Sequence, residues 1–124
     1  MADDLPQPLR GEIWECIFPS DPPGKGPRPV LIVSPDVRNR HPKATTVLVV
    51  PFSMTLTNYR THIRLSSGQT GLPETSELQP EQITAMRKVD LRKVEGARRQ
   101  AESLIRAIAQ FVVFALGIQP REIQ

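Results

Sequence analysis

The sequence predicts a small, mainly β barrel with one C-terminal helix packed on it, and three observations carry that prediction. Two runs, "RPVLIVS" (28–34) and "TTVLVVPFS" (45–53), are β-branched and almost unbroken, as strands covered on both faces are. Apolar residues then recur late in the chain at helical spacing, at Ala101, Leu104, Ile105, Ile108, Phe111, Val112, Ala115 and Leu116, with Gly117 supplying a C-cap. Finally, 124 residues of which 39% are hydrophobic are enough for one domain with a modest core and no more.

Taken in order, residues 1–9 read as a loose leader and the domain as residues 10–119. "RGEIWECIF" (10–18) alternates with apolar residues on both sides, a first strand with at least one buried face. "PSDPPGKGP" (19–27) holds four prolines and two glycines in nine residues, so it is a long exposed loop of a kind that is often functional. The two β-branched runs follow, joined by the polar linker "PDVRNRHPKA", which turns once. "YRTHIRL" (59–65) alternates Tyr59, Thr61, Ile63 and Leu65 against Arg60, His62 and Arg64, a half-exposed strand with a basic outer face. After the turn region "SSGQTGLPET", "SELQPEQITAMRKV" (76–89) reads as two short strands with Pro80 at an edge or a bulge. The helix is expected over about 97–116.

The single cysteine, Cys16, forms no internal disulfide, and no Cys/His cluster has zinc spacing. The N-terminus lacks the apolar core of a signal segment, and no apolar run approaches the roughly 20 residues of a membrane span. These features point to a soluble protein of the reducing cytoplasm with no membrane partner.

Net charge is +3, too mild by itself to name a nucleic-acid partner. Its distribution is more informative. Lys25, Arg28, Arg38, Arg40 and Lys43 stand against Asp36 alone, and Arg87, Lys88, Arg92, Lys93, Arg98 and Arg99 against Asp90 and Glu95. Two such segments form one polyanion-binding face if the fold brings them together, or two solvated charged faces if it does not.

Five or six strands followed by one amphipathic helix define an SH3-like small barrel. Through "RGEIWECIF", the Gly/Pro-rich loop, "GPRPVLIVSPD", "VVPFS", "HIRL", "GL", "PEQI" and the terminal "LG", the chain resembles the MazF/PemK family, the toxins of bacterial type II toxin–antitoxin pairs. The resemblance implies a homodimeric, metal-independent endoribonuclease that cuts single-stranded RNA at short motifs, needs no cofactor and is neutralised by a cognate antitoxin. By position it implies Arg28 as the catalytic arginine, Ser53 as the hydroxyl residue ending the third strand, and Glu81 with Gln82 as the acid–glutamine pair opening a late strand. The chain departs from the family pattern in having serine where threonine is usual, glutamate where aspartate is usual, and Gln79 where some members place an arginine. Its loop also lacks the acid that some members carry before the arginine.

The chemistry agrees from below. Cleaving RNA without a metal builds negative charge on a pentacoordinate phosphate, and a guanidinium offers several donors in a fixed fork to hold it. Arg28, between Pro27 and Pro29, is oriented for that task. The Ser53 hydroxyl can donate to a phosphate oxygen or orient the 2′-hydroxyl. His62 and Glu81 are the further candidates for proton transfer, although a lone exposed histidine is more often neither base nor ligand, and a carboxylate repels RNA. Lys25, Thr55, Arg64, Gln82 and Arg87 are the expected RNA contacts. Phe111, Val112, Val113, Phe114 and Leu116 point in too many directions for one barrel face, so they are expected to meet a second copy. The competing readings are a barrel that binds RNA with weak or no cleavage, a relative of the CcdB toxins that poison DNA gyrase, and an adaptor using the apolar helix end.

Overall fold

In the computed structural model, which describes residues 5–57 and 59–123, the two β-branched runs are neighbouring central strands. β1 (Ile13–Cys16), β2 (Arg28–Ile32) and β3 (Thr46–Ser53) run antiparallel, with Ile13 opposite Leu31 and Leu31 opposite Val50. Alternate residues of these strands feed two separate cores, which is why the runs are apolar without a break. Ile13, Leu31, Val33, Val50 and Phe52 meet Leu65, Leu72 and Leu78 and the helix residues Ile105 and Ile108. Trp14, Cys16, Val30, Ile32, Val47 and Val49 build the other core with Leu91 and Met86. Val30, Leu31, Ile32, Val47, Val49 and Val50 are wholly buried. Each such side chain contributes roughly 1.5–3 kcal/mol by leaving water.

Four short strands complete the sheet: β4 (Ile63–Leu65), β5 (Ser76–Leu78), β6 (Thr84–Arg87) and β7 (Arg92–Lys93). Among the described residues the order is β4-β5-β3-β2-β1-β7, with β6 also on β3. One edge of β3 holds β2. The other is divided, Thr46 to Val49 pairing with β6 and Phe52 and Ser53 with β5.

Several expectations shift in detail. The strand expected over 59–65 begins only at Ile63, because Tyr59 to His62 close a turn through His62 N–H to the Tyr59 carbonyl at 3.2 Å. Pro80 occupies neither an edge nor a bulge; it starts a 3-10 turn, Pro80–Gln82, where its missing N–H costs no hydrogen bond. Glu81 and Gln82 therefore lie in that turn and do not open β6. The linker at 35–44 does turn once, as the helical turn α1 (Asp36–Asn39), and the turn region contains α2 (Ser67–Thr70), closed by a Ser66/Gln69 capping box. The segment read as leader is tied down at its end, where Pro8 is buried and Leu9 N–H donates to Glu12 Oε1 at 2.7 Å.

The C-terminal helix α3 (Glu102–Ala115) starts later than the periodicity suggested. Residues 96–100 are engaged elsewhere: Arg98 N–H donates to the Thr70 carbonyl and Gln100 N–H to the Gly11 carbonyl, lacing distant loops together. At the other end Gly117, at φ +76°, donates to the Phe114 carbonyl while Ile118 N–H reaches Val113, a Schellman cap that requires a left-handed residue. Ile105 and Ile108 are buried on the barrel, with Leu104 and Val112 beside them, whereas Phe114 is 50% and Leu116 67% exposed. Among the described residues no helix is long and apolar enough to cross a membrane.

Candidate active site

The site grows from strand register. Cys16 pairs with Arg28, Ser53 with Glu77, and Glu77 with Arg64. Val30 faces Pro51, so continuing the ladder by two residues sets Arg28 level with Ser53. Arg28, Ser53, Glu77 and Arg64 thus form one transverse row, and residues paired across strands point to the same face of a sheet.

Arg28 is held on two sides. Its Nη2 donates to Asp21 Oδ1 at 2.6 Å, and its guanidinium carbon lies 4.8 Å from the centre of the Phe18 ring. Both anchors come from the end of β1 and the Pro/Gly loop, so the long loop singled out in the sequence orients the arginine. That loop supplies its own acid, Asp21, seven residues before the arginine. The Asp21 side chain is only 9% exposed. Among the described residues the remaining guanidinium donors have no protein partner and face two hollows. One, of about 150 Å³, is lined by Lys25, Arg28, Ser53, Thr55 and Ser76, and the other, of about 420 Å³, by Phe18, Ser20, Arg28, Gln79, Gln82 and Thr84. Ser53 Oγ accepts from the Thr55 N–H at 3.1 Å, an ordinary turn contact that leaves the hydroxyl proton free to donate outward.

The structure therefore brings Arg28, Ser53, Lys25 and Thr55 together, with Gln82 across the second hollow. His62 stands apart from them and is neither lone nor exposed. Its ring is 4% exposed, with Nδ1 3.0 Å from Glu77 Oε1 and Nε2 2.8 Å from Glu81 Oε2. The β4 alternation suggested an outer face, but the turn before β4 draws this side chain in against the two carboxylates. Burial pushes the imidazole down, yet the hydrogen bonds to Glu81 and Glu77 outweigh it and raise the pKa above the usual 6.5. Burial likewise opposes ionisation of Glu77, and is overridden by hydrogen bonds from His62, the Thr57 N–H, Arg64 and the Thr57 hydroxyl, which bring it down to about 2. Glu81 is lowered in the same way: its burial is outweighed chiefly by His62, with the Thr61 hydroxyl adding 2.9 Å away. With both ring nitrogens occupied, His62 works as the hub of a clamp that ties Thr57 and Thr61 to β5 and the 3-10 turn.

Arg64 belongs to the same clamp, its Nη2 3.0 Å from Glu77 Oε2 and 3.1 Å from the Thr57 carbonyl. Arg87 does not reach the site. It pairs with Thr46, at the far end of β3 from Ser53 and roughly 23 Å away at 3.3 Å per residue, and its guanidinium is taken by Asp90. The two charged segments do meet, but several of their cations are engaged there within the protein. Arg38 is bound to Thr46, Arg99 lies 3.6 Å from Asp36, and Lys88 is buried, with its pKa lowered by that burial and by Arg38.

The residues that sequence reading gave no role are Phe18, Asp21 and Glu77, and Gln79 was noted only as standing where some family members place an arginine. Only Asp21 carried a signal, as the sole acid in a loop directly preceding Arg28.

The fold is that of small toxin barrels of known structure. An endoribonuclease from a Mycobacterial species, solved in complex with its cognate antitoxin, shares 26% identity and a TM-score of 0.68 over 89% of this chain and 95% of that one. Mycobacterium tuberculosis toxin MazF-mt6 gives 0.68 at 21% identity, covering 87% and 98%, and the MazE–MazF complex of Deinococcus radiodurans gives 0.69 at 18%, covering 91% and 99%. The last two speak for the fold alone. No curated protein matches the sequence significantly. The profile of the family described as PemK-like, MazF-like toxin of type II toxin-antitoxin system matches residues 9–112, and the chain belongs to that family.

Proposed function

We propose that this toxin is an endoribonuclease that cuts single-stranded RNA, mRNA included, without a metal ion or cofactor. The observation that carries the reading is Arg28, fixed by Asp21 and Phe18 yet open on its remaining donors, in one hollow with the Ser53 hydroxyl. In this reaction the 2′-hydroxyl gives up its proton as the 2′-oxygen bonds to the adjacent phosphorus, and the bond from phosphorus to the 5′-oxygen breaks, so the net proton movement is from the 2′- to the 5′-oxygen. The products are a 2′,3′-cyclic phosphate and a 5′-hydroxyl that takes up a proton. Arg28 binds the non-bridging oxygens as their charge grows, and Ser53 donates to one of them or aligns the 2′-hydroxyl. Lys25 and Thr55 follow the strand on one side of Arg28 and Gln82 on the other.

Two further elements belong to this reading. The half-buried Phe111 and the exposed Phe114 line a hollow with Arg60 and Gln110, and with the half-buried Val113 and the exposed Leu116 they make a surface suited to a second copy; Val112 contributes less, since it packs on the barrel core. A cognate antitoxin is the expected partner and inhibitor of this chain; an endoribonuclease of this fold has been solved in complex with its own antitoxin.

The test is incubation of the purified chain with a long single-stranded RNA in EDTA. Discrete fragments ending in cyclic or 3′-phosphate support the proposal. Retardation without cutting means a binding module, and cutting that requires added magnesium refutes metal independence.

A further inference from the structure

The larger hollow beside Arg28 has a feature that phosphate binding does not use. Gln79 Oε1 is buried and has no hydrogen-bond partner among the described residues, an expensive condition for a carbonyl oxygen unless a ligand completes it. The residue is firmly placed: its N–H donates to the Pro51 carbonyl at 3.0 Å, and its own carbonyl accepts from Gln82 at 2.8 Å. Around it the hollow offers the Gln82 amide, the Thr84 and Ser20 hydroxyls, the Phe18 and Pro51 rings, and Arg28. At about 420 Å³ it has room for one nucleobase and part of its ribose.

We propose that this hollow seats one nucleobase of the substrate strand, next to the phosphate held by Arg28, and that Gln79 reads it by accepting a hydrogen bond from an N–H on the base edge. The inference rests on the nuclease reading and adds to it the residue that sets sequence preference. Single-stranded RNA is read in this way elsewhere, by splayed bases whose edges meet side-chain amides. A base without a suitably placed N–H leaves the carbonyl unpaired, and one well-made pairing of this kind is worth roughly 10- to 100-fold in discrimination.

The test has two arms, each comparing the full chain with Gln79→Leu and with Gln79→Asn, which keeps the amide but withdraws it. In the first, a long RNA is digested and the cut ends are sequenced. The unmodified chain is expected to favour particular bases beside the cut. Gln79→Leu should flatten the preference at one position by roughly 10- to 100-fold, leave the other positions unchanged and keep the wild-type melting temperature; Gln79→Asn should flatten it less. In the second, a randomised 2′-fluoro oligonucleotide pool, which lacks the attacking hydroxyl, is captured on immobilised protein and sequenced, and the enriched base should be lost in Gln79→Leu. A variant that keeps the wild-type preference in either arm overturns the proposal, as does uniform slowing at every site. Selective capture without any cutting refutes the nuclease and upholds the base pocket. Cutting with a preference indifferent to Gln79 refutes the pocket and upholds the nuclease.

Discussion

Asp21 Oδ1 lies 2.6 Å from Arg28 Nη2, so the carboxylate that orients the central arginine comes from the same loop that leads into it. Among the described residues only one guanidinium nitrogen is taken. The pair therefore aims the fork without closing it. Asp21→Ala is expected to lower kcat on RNA by about 10- to 100-fold, the scale of a misplaced reacting group, with KM little changed. Asp21→Asn keeps an acceptor and should recover much of the loss; activity equal to or above wild type in Asp21→Ala would mean the carboxylate competes with the substrate.

Arg28→Lys keeps the charge and loses the fork. Removing one charge-stabilising donor typically costs about 100- to 1,000-fold, and kcat should fall by that much with the melting temperature preserved. Near-normal cleavage by Arg28→Ala would reduce the residue to a strand cap.

Ser53→Ala should reduce cleavage by about 10-fold or more, since a hydrogen bond to a charged phosphate is worth roughly 1.5–3 kcal/mol. Ser53→Thr keeps the hydroxyl and is expected to stay close to wild type. Single-turnover rates on one short RNA decide it, and equal rates for the alanine and threonine variants would remove Ser53 from the chemistry.

The clamp around His62 gives a pH signature. Its folded pKa is raised, so its contribution to stability is full below the usual 6.5 and fades as pH rises through the higher folded value. Glu77 is lowered, so its contribution is full above the usual 4.5 and is lost as pH falls toward about 2. The two windows overlap between about pH 4.5 and 6.5. The melting-temperature gap between the wild type and His62→Phe should be widest there and should shrink toward pH 9. A gap that is flat with pH would show that the ring acts by shape alone.

Phe114→Glu should turn a dimer into a monomer, because a carboxylate buried without a partner costs several kcal/mol. Val37→Glu, at a side chain 82% exposed on α1, is the control and should leave the assembly unchanged. Light scattering at micromolar concentration reads both, and a monomeric wild type would refute the dimer.

The fold was legible where local pattern and tertiary demand coincide. β2 and β3 are apolar on both faces because each face meets its own core, and α3 shows its stripe because Ile105 and Ile108 must reach the barrel. Arg28 and Ser53 stood out through their prolines and strand ends. Asp21 and Glu77 did not, and Gln79 stood out only as a departure from the family pattern, since their roles depend on which loop folds back and which strands pair, neither of which is written in periodicity. Arg87 misled for the same reason: a basic residue near the end of a strand looks alike in sequence whichever end of the sheet it occupies.

β3 has a neighbour along both edges, β2 on one and β6 followed by β5 on the other. Its amide protons at Val47 to Val50 therefore have no fraying edge through which to meet solvent, and should exchange with deuterium only when the whole molecule unfolds. Ser53 ends this most protected segment, while most residues of the Asp21 loop beside it are exposed. One wall of the site thus persists as long as the protein does, and the other can open and reclose many times within that lifetime.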